Sequence, residues 1–274
     1  MFDWLQYGFM VRALVAGVLL SVCLPWLGTF LVLRRQALTA DTLSHVSMAG
    51  VAAGLLLGFS PSFFALLFAL IGTMLMERLR RLYSGYPELG LSVLLSTGLA
   101  LAVVLIGLGK GYHLDIFSYL FGSIIVTDAT DVWLLAGLAA ATGIFVGVYS
   151  PALFSMVFDE EHARLNQVPV RRLNRFFAIL TALVIAASIR IVGVLLISSL
   201  LALPVAISMH FARGFWQTAW LATGISLVAM MTGLLLSYYL GLAPGGSVVL
   251  LLVFMLAVVS GAKRLAARRV SSPT

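Results

Sequence analysis

Long apolar runs broken by short polar or basic gaps set the pattern of this chain. A helix needs about 20 apolar residues to cross a bilayer, and helices satisfy their own backbone polar groups there. On that rule the runs at 9–33, 41–58, 62–76, 89–109, 132–157, 176–189, 192–211, 215–240 and 248–261 predict membrane helices. The piece at 112–126 is short and broken, and reads as a half-helix packed within the protein. The lead at 1–8 carries Trp4 and Tyr7, which suit a membrane interface. Ser60-Pro61 and Ala243-Pro244-Gly245-Gly246 read as turns, and 83–87 as a loop.

The runs are continuous rather than alternating, which excludes a transmembrane barrel. The expected fold class is an all-α integral membrane protein, a polytopic bundle of about 8–9 transmembrane helices forming a single domain over 1–274. Composition agrees. Hydrophobic residues make up 62% and charged residues 10%, with a mean hydropathy of +1.10, where a soluble domain carries about 25% charged residues. The first run is too long for a secretory signal and lacks a small-residue cleavage site, so it reads as the first span. Cys23 stands alone, leaving no disulfide framework and no Cys-based zinc site.

The net charge of +7 does not point to nucleic acid, because the basic residues sit at helix ends. Place the N-terminus outside and let the 112–126 piece re-enter. The inner side then collects Arg34, Arg35, Arg78, Arg80, Arg81, Arg164, Arg171, Arg172, Arg175, Arg213, Lys263, Arg264, Arg268 and Arg269, leaving Arg12, Lys110 and Arg190 elsewhere. The positive-inside rule selects this orientation. It makes 158–172 and the 262–274 tail cytoplasmic and puts Asp115, Asp128 and Asp131 outside.

The most informative polar positions are Asp41 and His45, the only carboxylate and imidazole between Arg35 and Glu77. Four residues apart on a helix, they share a face about one turn apart. Ionisable groups in a membrane segment usually face a bundle interior or a polar cavity. A carboxylate and an imidazole suit divalent transition metals, zinc in particular. Two ligands are too few for a stable site, but a two-fold dimer with this helix at its axis would bring four. The alternative is structural, with Asp41 favoured by the helix N-terminal dipole. On the opposite face Gly50, Gly54 and Gly58 form a small-residue stripe suited to close helix packing.

The one long polar interval, 158–172, contains Asp159, Glu160 and Glu161 followed by Arg164. It reads as a short helix with charges matching its dipole, ended by Pro169. His113 reads as a solvated loop residue, His162 as a surface contact, and His210 as a helix-end residue. Asp115, Asp128 and Asp131 are candidates to attract cations or dock an external partner. No His-Glu-x-x-His pair occurs, and Gly107, Gly109, Lys110 and Gly111 lack the spacing and hydroxyl of a phosphate loop. The chain thus has no nucleotide site of its own.

Several stretches together resemble a known family. They are Leu33-Arg34-Arg35 followed by Asp41-Thr42-Leu43-Ser44-His45; Leu120-Phe121-Gly122-Ser123-Ile124; Phe158-Asp159-Glu160 with Ala163; Val192-Gly193-Val194-Leu195-Leu196 leading to Leu203-Pro204; and Ala243-Pro244-Gly245-Gly246-Ser247. The chain resembles the permease subunit of zinc/manganese-type ABC importers, the ABC-3 family, over nearly its whole length. The resemblance implies the fold of the vitamin-B12-type importers, with two permeases around a pathway and two cytoplasmic ATPases. It implies that Asp41 and His45 handle the metal. It also implies that Asp159, Glu160, Glu161, Ala163, Arg164, Asn166 and Gln167 belong to a coupling helix docking on the ATPase. The family usually has a Gly where this chain has Asn166-Gln167, a departure that bears on the local turn. The implied partners are a second copy, most simply a homodimer, an ATPase dimer, an external metal-binding protein and membrane lipid, without nucleic acid. No resident cofactor is implied, since zinc or manganese is cargo.

Three other classes compete. An ATP-independent transporter or channel would show internal repeats and more intramembrane charges. An intramembrane enzyme using Asp41 and His45 as acid and base would need a nearby nucleophile, and Ser44 points to another face. A chelate permease would have a wide pathway without a ligand pair at one level.

Overall fold

The computed structural model describes residues 8–83, 85–109, 118–123 and 128–270. Among the described residues ten helices carry the fold: α1 (Gly8–Leu33), α2 (Leu38–Leu57), α3 (Pro61–Leu82), α4 (Pro87–Leu108), α5 (Ala129–Phe158), α6 (Glu160–Leu165), α7 (Val170–Val192), α8 (Val194–Ser208), α9 (Phe215–Leu240) and α10 (Pro244–Val270). Eight of them are long and apolar enough to span a bilayer.

The exceptions are instructive. The run at 192–211 is only a 15-residue helix, α8. At 1.5 Å per residue it rises about 22 Å, short of a hydrocarbon core. It is tolerated because it lies inside the protein, packed against α1, α2, α9 and α10. Other helices outrun their apolar stretches. The basic cluster Arg78, Arg80, Arg81 belongs to the last turns of α3, and α10 continues through Lys263 and Arg264. Basic side chains suit a helix C-terminus, where they meet the negative end of the dipole. Pro169 does not end α6; it is the N-cap residue of α7, and α6 ends earlier at Leu165.

The core is set by which helices are surrounded by others, not by which are most apolar. α1, α2, α7 and α8 carry most of the fully buried side chains, among them Leu20, Leu24, Leu27, Phe30, Leu43, Ile185, Leu196 and Leu200. α3 and α4 pack on α2; α9 packs on α1 and α8, and α10 on α8 and α9; α5 lies against α1 and α7. Phe30 stacks on Phe177 with ring centroids 4.3 Å apart, joining α1 to α7. The outward faces of α3, α4, α5 and α10 expose Ile71, Val103, Ile144 and Phe254, as a lipid-facing shell requires.

Of the small-residue stripe, Gly50 and Gly54 lie against α3. A Cβ at Gly50 would sit 2.4 Å from the Phe64 carbonyl oxygen, and one at Gly54 2.9 Å from the Pro61 Cα. Gly58 plays a different part. It has φ 71° and open space around it, and it ends α2 as a left-handed cap.

Candidate metal pathway and coupling segment

α2 begins at Leu38, so Asp41 falls in its first turn, where the dipole favours a carboxylate. His45 stands one turn further. Both are half-buried, while Thr42, Leu43, Ser44 and Val46 between and beside them are buried. Among the described residues neither Asp41 nor His45 has a hydrogen-bond or ion-pair partner. The other flank of the same helix turns is fully engaged. Thr42 Oγ1 donates to the Leu38 carbonyl at 2.8 Å, and Val46 meets Gly72 of α3 and Gly98 of α4. α2 is therefore welded to α3 and α4 on one side and carries unused polar groups on the other.

Two further polar groups of α2 have no hydrogen-bond partner, the buried hydroxyls of Ser44 and Ser47. On a helical wheel Ser44 stands about 60° from Asp41 and about 100° from His45, and Ser47 about 120° and about 160°, so the two serines face another side of the helix. Among the described residues no group of three or more His, Cys, Asp or Glu converges.

The candidate coupling segment, 158–172, is built by its own local chemistry. Asp159 caps α6, its carboxylate accepting from the His162 N–H at 2.9 Å. Glu160 takes the guanidinium of Arg34, at the end of α1, and Arg164 Nη2 at 2.6 Å. Arg34 also donates to Asn174 Oδ1 of α7 at 2.6 Å and lies over the Phe30 ring. Burial pushes the Arg34 pKa down and Glu160 opposes that shift. Ala163 is fully buried beneath the helix, whereas Glu161, Leu165, Asn166 and Gln167 face outward. Leu165 of α6 is 81% and Phe158 at the end of α5 70% exposed, so the α5–α6 corner offers two large apolar side chains ringed by charge.

The turn after α6 resolves the question raised by Asn166-Gln167. Gln167 adopts φ 59°, its N–H donates to the Arg164 carbonyl, and the Val168 N–H donates to the Ala163 carbonyl. This is a Schellman ending with glutamine in the left-handed position that glycine usually fills.

On the opposite side of the bundle, Asp128 and Asp131 cap α5 reciprocally and both meet Arg190 Nη1, at 3.2 and 3.1 Å. Asp131 is thereby engaged and only 13% exposed, while Asp128 stays open. Asp115, His113 and most of 112–126 lie outside the described residues; 118–121 form a helical turn. His162 is exposed on α6, and His210 Nδ1 lies 2.9 Å from the Ala206 carbonyl at the end of α8.

Three stretches that looked separate in sequence converge. Gly193, at the α7–α8 break with φ 79°, sits so close to the 118–122 segment that a Cβ there would lie 2.4 Å from the Gly122 nitrogen. Gly122, with φ 78°, and Gly245, at the start of α10, both press on the Val192 carbonyl. The Phe121-Gly122, Val192-Gly193 and Pro244-Gly245 stretches form one three-way backbone crossing.

With this arrangement in view, comparison with known proteins places the chain. The model of the ABC 3 transport family matches residues 6–263. The chain belongs to the ABC 3 transport family. As a member of the ABC 3 transport family it is a non-enzymatic membrane component of a transporter. It is 38% identical over 256 residues to a probable metal transport system membrane protein of Treponema pallidum, covering 93% of this chain and 96% of that one. It is 32% identical to the high-affinity zinc uptake system membrane protein ZnuB of Haemophilus influenzae, covering 91% and 96%. It is 27% identical to the manganese import system permease protein ScaB of Streptococcus parasanguinis, covering 89% and 87%. Among solved structures, PsaBC from Streptococcus pneumoniae in complex with Fab matches with a TM-score of 0.83 at 27% identity, over 94% of this chain and 93% of that one.

Proposed function

We propose that this chain is the permease of an ATP-driven importer for a divalent transition metal, zinc first and manganese second. The observation that carries the reading is the Asp41/His45 pair, half-buried and unpartnered on the inner end of a core helix. Relatives named for zinc uptake and for manganese import support the metal class. Imidazole weighs toward zinc, while the carboxylate accepts either ion.

The mechanism follows from the two ends of the molecule. An external binding protein docks on the outer side, where Asp128 and Asp115 supply negative charge and Asp131 is held back by Arg190. The ion passes the level of Asp41 and His45, where a second copy across a two-fold axis completes a four-ligand set for a transient stop. An ATPase dimer grips the α5–α6 corner through Phe158, Leu165 and the acids Asp159 to Glu161, with the N-terminus outside and the C-terminus cytoplasmic. Transport requires the ATPase to favour one permease state over the other; Arg34, which ties α6 to α1 and α7, transmits that preference.

The test is metal accumulation in cells carrying the chain with its ATPase and binding protein, zinc and manganese competing, expression matched. Asp41→Ala and His45→Ala should each lower uptake at least tenfold. Full uptake in both returns the pair to a structural role.

A further inference from the structure

The last turns of α1 and α3, the first turns of α2 and α7, and α6 line a half-open cavity of about 690 Å³. Its walls carry six arginines, Arg34, Arg80, Arg81, Arg164, Arg171 and Arg175, against two carboxylates, Glu77 and Glu160. Subtracting two from six leaves a formal excess of four positive charges. The carboxylates are already shared: Glu160 by Arg34 and Arg164, and Glu77 by Arg81 and Arg175, each at 3.8 Å. Arg80 and Arg171 have no carboxylate at ion-pair distance among the described residues. Half-buried Arg80 is held only by neutral oxygens, Gln36 Oε1 at 3.3 Å and Thr39 Oγ1 at 2.9 Å. Arg34 is 11% exposed.

Positive-inside arginines ordinarily sit on solvated helix tips, as exposed Arg78 and Arg172 do here. Arg81, Arg164, Arg171 and Arg175 are exposed as well, but they ring one open crevice whose inner wall holds Arg34 and Arg80 away from solvent, and Arg80 there has no carboxylate partner among the described residues. Uncompensated buried charge is costly, and planar guanidinium forks match phosphate oxygens two at a time. The apolar sector of the wall, Phe30, Met76 and Phe177, gives a carbon-bearing group a place to lie. We infer that this cavity binds a phosphate-bearing anion, the headgroup of an anionic lipid or a soluble organic phosphate, and that the bound anion braces α6 against α1, α3 and α7. Asp41 and His45 take no part, so anion binding and metal uptake succeed or fail independently.

The experiment uses the chain purified with its ATPase in neutral detergent, with binding read by native mass spectrometry and thermal shift. Three probes are compared: glycerol 3-phosphate, short-chain phosphatidylglycerol, and phosphatidylcholine of the same chain length. Saturable binding of either anionic probe, absent for phosphatidylcholine and weakened at least tenfold in Arg80→Gln/Arg171→Gln, is the expected result. Glycerol 3-phosphate binding assigns a soluble source, and binding of phosphatidylglycerol alone assigns the lipid. If the double variant does not fold, Arg171→Gln alone serves, because Arg171 makes no hydrogen bond or ion pair among the described residues; at least a threefold loss is expected. No binding of either anionic probe, equal binding of phosphatidylcholine, or variants that bind like wild type overturns the inference.

Discussion

Gln167 shows what a single residue is asked to do here. Its φ of 59° puts an L side chain in the left-handed region, at a cost of about 1–2 kcal/mol that glycine avoids. Arg35 does the same after α1, with φ 57° and the same pair of closing bonds, Gln36 N–H to Leu31 and Arg35 N–H to Val32. Gln167→Gly should therefore raise the thermal midpoint of the purified protein by a few degrees, about 1 kcal/mol; a lower midpoint would show that the glutamine side chain contributes more than its backbone costs. Sequence inspection flagged the missing glycine but left the turn open, because glutamine carries no left-handed signal. Asp41 and His45 were legible for the opposite reason: an ionisable pair in an apolar run stands out by its solvation cost alone. Ser44 and Ser47 did not stand out, since a serine in a membrane helix ordinarily bonds the preceding turn, and only the structure shows that these do not.

At the scale of elements, the three-way crossing at Gly122, Gly193 and Gly245 holds the α7–α8 break in place. Gly193→Ala would put a methyl 2.4 Å from backbone nitrogen, in a conformation alanine disfavours. We expect a loss of more than about 3 kcal/mol, seen as a collapse of the monodisperse peak on size-exclusion chromatography. Gly224→Ala, in open space on α9, is the matched control and should stay close to neutral. The second junction is Arg34. Arg34→Met removes one bridge from α1 to both α6 and α7 and should destabilise by about 2 kcal/mol, with Arg34→Met and Glu160→Gln non-additive in a double-mutant cycle on the thermal midpoint. Helix existence was readable from hydropathy for every long span. Helix length was less so, because α3 and α10 carry basic side chains within their last turns, and α8 is shortened by a backbone contact with residues about 70 positions earlier.

The whole molecule separates two chemistries by side. One end gathers Arg34, Arg80, Glu160, Arg171 and Arg175 around one cavity; the other pairs Arg190 with Asp128 and Asp131. Reversing Asp159, Glu160 and Glu161 together to lysine should cut ATPase recovery in co-purification several-fold. It would strip the α6 cap and leave Arg34 facing like charge. An undiminished complex would place the ATPase contact elsewhere.

Hydropathy alone determined that the chain is a helical membrane protein, because the cost of placing backbone and charge in hydrocarbon leaves few other solutions. The spacing of Asp41 and His45, the acidic start of the 158–172 segment and the distribution of arginine were equally local facts. Tertiary structure decided how they combine. It joined three glycine stretches into one crossing, committed Asp131 to Arg190, turned Gly58 from a packing residue into a helix end, and gathered six arginines around one space. Each of these depends on contacts between residues far apart in the chain, which helix periodicity does not encode.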